Sequence, residues 1–122
     1  MIAVETNEFS LTVVRVAAGG NTGDGKYFYS FSPTIILVRE ACLIRFKLSN
    51  DSSEGIKIAG VVSDAAHKQM GKCDVDEDGK RATLEDHVIA PALISLAVLV
   101  TDDESKTKKF IVCDPQVINV PD

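Results

Sequence analysis

The chain has 122 residues, of which 45% are hydrophobic and 25% charged, and its formal net charge is −5. That is enough chain to bury a core without disulfide or metal staples, and too apolar a composition for a disordered segment. The acidic balance excludes a nucleic-acid partner, which needs a clustered basic face, because Lys106, Lys108 and Lys109 follow directly on Asp102, Asp103 and Glu104.

The opening stretch "MIAVETNEFSLTVVRV" carries no basic n-region, apolar h-region or small-residue cleavage site, so a cytoplasmic protein is expected. No repeat, linker or low-complexity run divides the chain, and residues 1–122 read as one domain. In "FSLTV", Phe9, Leu11 and Val13 alternate with polar residues, then Val14 and Val16 take over the apolar phase. A slip of one residue of this kind predicts a β-bulge near Val13–Val14. "GGNTGDG" is a glycine-rich turn expected to be mobile. Lys26 after it does not complete a phosphate loop, because the spacing is wrong and a strand follows where a helix should open.

In "KYFYSFSP", Tyr27, Tyr29 and Phe31 share one face. Phe28 lies on the other, either as a partner-facing anchor or as part of a second buried face. Pro33 breaks the pairing before "TIILV". "CLIRFKLS" puts Ile44, Phe46 and Leu48 on a core face and Arg45, Lys47 and Ser49 on a solvent face. "NDSSEG" is a turn and "IKIAGVV" a further strand. The stretch Ser63–Met70, with Ser63 as N-cap, is the one short helical candidate.

"VIAPALISLAVLV" is too short to cross a bilayer and contains Pro91; its "LISLAVLV" is apolar on both faces and belongs in the middle of a sheet. "KKFIVCDPQVIN" supplies the last strand, with Pro115 limiting the pairing of its second half. Seven or eight short strands with almost no helix predict an all-β, antiparallel β-sandwich of immunoglobulin-like or cupredoxin-like type. Such a scaffold fixes no function by itself.

Three stretches bear on chemistry. "DVDEDGKRATLE" places Asp74, Asp76 and Asp78 at alternate positions before Gly79 and closes on Glu85, which is the spacing of a calcium loop. Its ligands would be those three aspartates, the Lys80 carbonyl and Glu85. Against this, Arg81 stands where an apolar anchor is usual, Ala82 offers no ligand, and the flanks read as strands where helices are needed. A hairpin turn built on "DEDG" is the competing reading. Cys113 with His87 or His67 would make a thiol–imidazole pair, but Cys113 sits in an apolar strand where a thiol is inert. Cys42, Cys73 and Cys113 are widely spaced, with no C-x-x-C, and fit reduced thiols. No catalytic residues and no cofactor are expected.

Two resemblances follow from longer stretches. "YSFSPTIILV", "IRFKLSND" and "FIVCDP" resemble a cupredoxin scaffold, with Cys113 in the cysteine-like place. Gln116 stands where that family has a histidine, no histidine follows Asn50 and no methionine follows Cys113, so the resemblance implies the scaffold without copper. "YSFSP", "FKLSND" and the ending "CDPQVINVP" resemble the DP-EP family of small uncharacterised bacterial proteins. Asp114 and Pro115 match the DP element, while the chain ends Val120, Pro121, Asp122 in place of EP. That resemblance implies a small β-sandwich and carries over no site residues. The expected function is a non-enzymatic binding or assembly module with a protein partner or a homo-oligomer, without nucleic acid or membrane. The alternative is a calcium-binding module using loop 74–85.

Overall fold

A computed structural model describes residues 5–63, 68–106 and 109–121. Among these residues ten strands follow one another: β1 Thr6–Arg15, β2 Tyr27–Ser32, β3 Ile35–Val38, β4 Cys42–Leu48, β5 Ile56–Ser63, β6 Met70–Val75, β7 Arg81–Asp86, β8 Ala92–Asp102, β9 Ile111–Cys113 and β10 Gln116–Asn119. They form two sheets, ordered β2-β1-β4-β7-β6 and β3-β10-β8-β5, with β9 on β8. The fold is an all-β sandwich, as expected, with more strands than the patterning indicated.

The sheets are mixed, which corrects the expectation of a purely antiparallel sandwich. β1 lies parallel to β4, and β3 parallel to β10. The reason lies in the route of the chain. After the β1–β2 hairpin it leaves the first sheet at Ser32–Pro33, runs as β3 along the edge of the second, and returns as β4 on the far side of β1. Proline, with no N–H to donate to a ladder, suits the point where pairing changes sheets.

The core is what the alternation predicts. Phe9, Leu11 and Val13 of β1, and Ile44, Phe46 and Leu48 of β4, all point inward and are buried. Phe9 stacks on Phe46 with ring centroids 5.2 Å apart, and Phe31 meets both edge-on at 5.6 and 6.1 Å. From the second sheet, Ile94, Leu96, Val98 and Val100 of β8 close the layer. β8 is central, with β5 along one side and β9 and β10 along the other.

Several local expectations change. The β1–β2 register runs without a slip from Ser10–Ser32 to Arg15–Tyr27, so no bulge forms at Val13–Val14. Val14 is apolar because it faces Phe28 across the strands on the outer surface. Bulges occur instead between Ile58 and Gly60 in β5 and between Met70 and Cys73 in β6. No helix forms among the described residues: Ser63 ends β5, Met70 opens β6, and residues 64–67 of the helical candidate lie outside the described residues. Pro115 splits the last strand without limiting its second half, since β10 pairs with both β8 and β3 while the Pro115 carbonyl accepts the Leu96 N–H.

The serine-rich turn after β4 does more than reverse the chain. Ser52 and Ser53 hydroxyls accept the Val13 and Arg15 amides at 3.1 and 3.0 Å, continuing the β1 ladder beyond the end of β4. The glycine-rich turn expected to be mobile is instead stitched in place. Gly20 and Lys26 amides bond to Gly25 and Gly23 carbonyls, Asn21 exchanges two bonds with the Tyr29 backbone, and the Thr22 hydroxyl donates to the Val112 carbonyl.

Candidate functional site

The acidic stretch 74–85 is the β6–β7 hairpin. Asp74 pairs with Thr83 and Val75 with Ala82, and the Gly79 amide donates to the Asp76 carbonyl across the turn. Gly79 has φ +70, and an added Cβ there would come within 2.7 Å of the Lys57 side chain, so geometry and space both call for glycine. The carboxylates diverge. Asp76 accepts from Arg81 at 2.9 Å, Asp78 accepts the Lys80 amide, and Asp74 sits 3.6 Å from Lys72. Glu85 lies near the other end of β7, where it accepts the Lys72 amide at 2.9 Å. The Lys80 carbonyl, the position-seven oxygen of a calcium loop, accepts the Leu48 amide. Among the described residues no three His, Cys, Asp or Glu side chains are grouped to hold a metal.

All three cysteines are free thiols. Cys113 is fully buried and its thiol is pushed up to about 12, first by burial and then by the neighbouring Asp114 charge. Burial also raises Cys42 and Cys73, of which Cys73 alone is partly exposed. His67 lies outside the described residues.

Sequence reasoning missed two polar clusters, because each joins residues far apart in the chain. At one end of the sandwich Arg15 clasps Asp102 through two bonds of 2.7 and 2.6 Å, and Tyr27 donates its hydroxyl to the same carboxylate at 2.7 Å. The Arg15 guanidinium and these donors hold the Asp102 carboxyl down at about 2, against an opposing effect of burial. Arg15 also reaches the Glu54 carbonyl. The clasp ties β1 and β2 of one sheet to β8 of the other. Beside it opens a cleft of about 340 Å³, lined in part by Asp24, Tyr27, Lys109 and Phe110.

At the opposite end, Asn119 donates to Gln69 at 2.9 Å and to Asp86 at 2.7 Å, and all three side chains are buried. Gln69 also accepts the Ile89 and Ala90 amides. Asp86 Oδ2 and Asn119 Oδ1 have no partner. Burial raises the Asp86 carboxyl above its ordinary range, offset in part by its bonds from Asn119 and the Val88 amide. An orphaned buried carboxylate oxygen of this kind favours the protonated acid.

The most distinctive surface is the outer face of the second sheet. Leu37, Ile118 and Leu93 form one row across β3, β10 and β8 in register, and Ile35, Gln116 and Ser95 form the next. Farther along β8, Ala97 faces Val62, and Leu99 lies between Gly60 and Val112. None of these side chains is charged. Leu93 is 55% exposed, Val62 52% and Leu37 50%. Together the apolar groups leave on the order of 500 Å² open to water, at the upper end of what monomers expose.

The outer face of the first sheet has the opposite character. There Glu8 pairs with Arg45, Arg45 with Thr83, and Lys47 with Arg81. Phe28 is 45% exposed on that side, as the outward alternative required. The contrast was only partly legible: "LISLAVLV" shows two apolar faces, but the aliphatic neighbours from β3, β5, β9 and β10 join it only in the folded sheet.

No protein-family profile and no curated protein matches this chain. Among the described residues no helix is long and apolar enough to cross a membrane.

Proposed function

We propose that the chain is a non-enzymatic binding or assembly module, acting through the outer face of the β3-β10-β8-β5 sheet. One observation carries this reading: two adjacent rows of outward side chains across three strands contain four aliphatic residues and no charge. A sheet that faces only water alternates apolar and polar residues, as the first sheet does. Sustained exposure of Leu37, Leu93 and Val62 costs solubility and sheet specificity unless a partner covers them. The polar clusters fit structural roles beside this face. The Arg15–Asp102–Tyr27 clasp joins the sheets, and the Asp86–Asn119–Gln69 group fastens the ends of β7 and β10.

A photo-crosslinking side chain installed at Leu93, with the same group at Arg45 as control, tests the proposal in cells. The expected result is adducts of discrete mass from position 93 and none from position 45. An absence of discrete adducts at position 93 refutes it.

A further inference from the structure

Resting on that reading, we infer that the partner is a second copy of this chain, stacked face to face on the β3-β10-β8-β5 sheet about a two-fold axis. Three features of the face argue for it. The first is charge. The chain carries −5 overall, yet the outward rows across β3, β10 and β8 have none of it, so two copies can meet there without burying an ionised side chain. The acidic β6–β7 turn abuts the β5 edge of the face, where the Ile58 amide donates to the Gly79 carbonyl at 2.7 Å, and Lys57 beside it is already paired with Asp103 at 2.9 Å. The acidic turns thus lie at the rim, where Arg81 pairs with Asp76 and salt screens what repulsion remains between the two copies.

The second feature is relief. The outward side chains along β8 run from large Leu93 through small Ser95 and Ala97 to large Leu99. A two-fold axis at Ser95 sets Leu93 of each copy over Ala97 of the other, the large-on-small pairing that suits an isologous interface. Stacked sheets interdigitate their side chains across about 10 Å in the same way.

The third feature is extent. The face is three strands wide along β8, with β3 and β10 beside Ala92–Ser95 and with β5 and β9 flanking Val98–Val100; at about 4.8 Å per strand and about 3.3 Å per residue it covers roughly 15 by 30 Å. With side-chain corrugation and the rim, sealing that area removes about 700 Å² from each copy, close to the roughly 800 Å² of a standard interface. A membrane surface would call for a cluster of basic residues around the face, whereas its strands carry Lys57 alone, already paired with Asp103.

Sedimentation velocity over a range of concentrations, with the full chain and with Leu93→Lys, decides the matter. The wild type is expected to sediment as a dimer at micromolar concentration. Leu93→Lys should keep its circular dichroism spectrum, because that side chain is already half in water, and should raise the dissociation constant about 100-fold or more. Leu37→Lys on the edge strand gives the same readout if the first variant does not fold. A wild type that stays at one chain's mass at 100 micromolar, or a folded Leu93→Lys that stays dimeric, overturns the inference. Crosslinked adducts at position 93 whose mass is not that of two chains would overturn it too while leaving the module reading standing.

Discussion

Asp102→Asn removes the charge that the Arg15–Tyr27 clasp was built to hold, and its cost can be worked from the geometry. The Asp102 side chain is 2% exposed, receives both Arg15 bonds and the Tyr27 hydroxyl, and also accepts the Glu104 amide at 2.9 Å. Its carboxyl falls from an ordinary 3.8 to about 2. At about 1.4 kcal/mol per unit this is roughly 2 kcal/mol of stability, reduced somewhat because Arg15 is partly exposed to screening water. A carboxyl whose folded value is lowered contributes fully above its unfolded value and loses that contribution as pH falls toward the folded one. Wild type and Asp102→Asn should therefore differ by about 2 kcal/mol at pH 7, and the gap should narrow steadily between pH 4 and pH 2. Urea unfolding followed by circular dichroism at pH 7, 4 and 2.5 measures it. Tyr27→Phe should cost about 1 kcal/mol in the wild type and less in the Asp102→Asn background, since the two share one contact. A gap equal at pH 7 and pH 2.5, or no gap at pH 7, refutes the assignment of the stability to the ionised clasp.

At the other end of the sandwich the sign reverses. Asp86 is raised by burial, so its contribution is full at low pH and is lost as pH rises from its unfolded value through its folded one. Asp86→Asn should accordingly leave stability at pH 7 unchanged or higher, and a loss above about 2 kcal/mol in urea unfolding would show a charged, well-paired carboxylate instead. Thiol labelling of the native protein should modify Cys73 first and Cys42 and Cys113 only on unfolding, with rapid labelling of Cys113 contradicting its burial. Calorimetric titration of the acidic hairpin with calcium should show affinity no tighter than about 10⁻⁴ M, because Asp76 and Asp78 already have partners and Glu85 points elsewhere. A stoichiometric micromolar site lost in Glu85→Gln would reverse that conclusion.

Much of the fold was readable from the chain alone. Period-two alternation places Phe9, Leu11 and Val13, and Ile44, Phe46 and Leu48, on core faces, because adjacent side chains of a strand point to opposite sides of its sheet. The same rule assigns Tyr27, Tyr29 and Phe31 to one side and Phe28 to the other. Turn chemistry located the chain reversals at "GGNTGDG", "NDSSEG" and "DEDG", where local backbone preference decides. Local rules also misled: an apolar Val14 looked like a register slip, when its reason was Phe28 on the neighbouring strand.

What the tertiary structure alone decided is everything that depends on which strands become neighbours. The parallel pairing of β1 with β4 and of β3 with β10 follows from the chain crossing between sheets, and no local pattern encodes a crossover. The Arg15–Asp102 and Asp86–Asn119 pairs join residues separated by 87 and 33 positions, so composition and spacing carry no trace of them. The uncharged outer face arises in the same way, from short aliphatic stretches that look ordinary one at a time. Spacing made Asp74, Asp76, Asp78 and Glu85 resemble one calcium loop. The extended backbone of a hairpin, rising about 3.3 Å per residue, instead carries Glu85 away from the turn that holds the others.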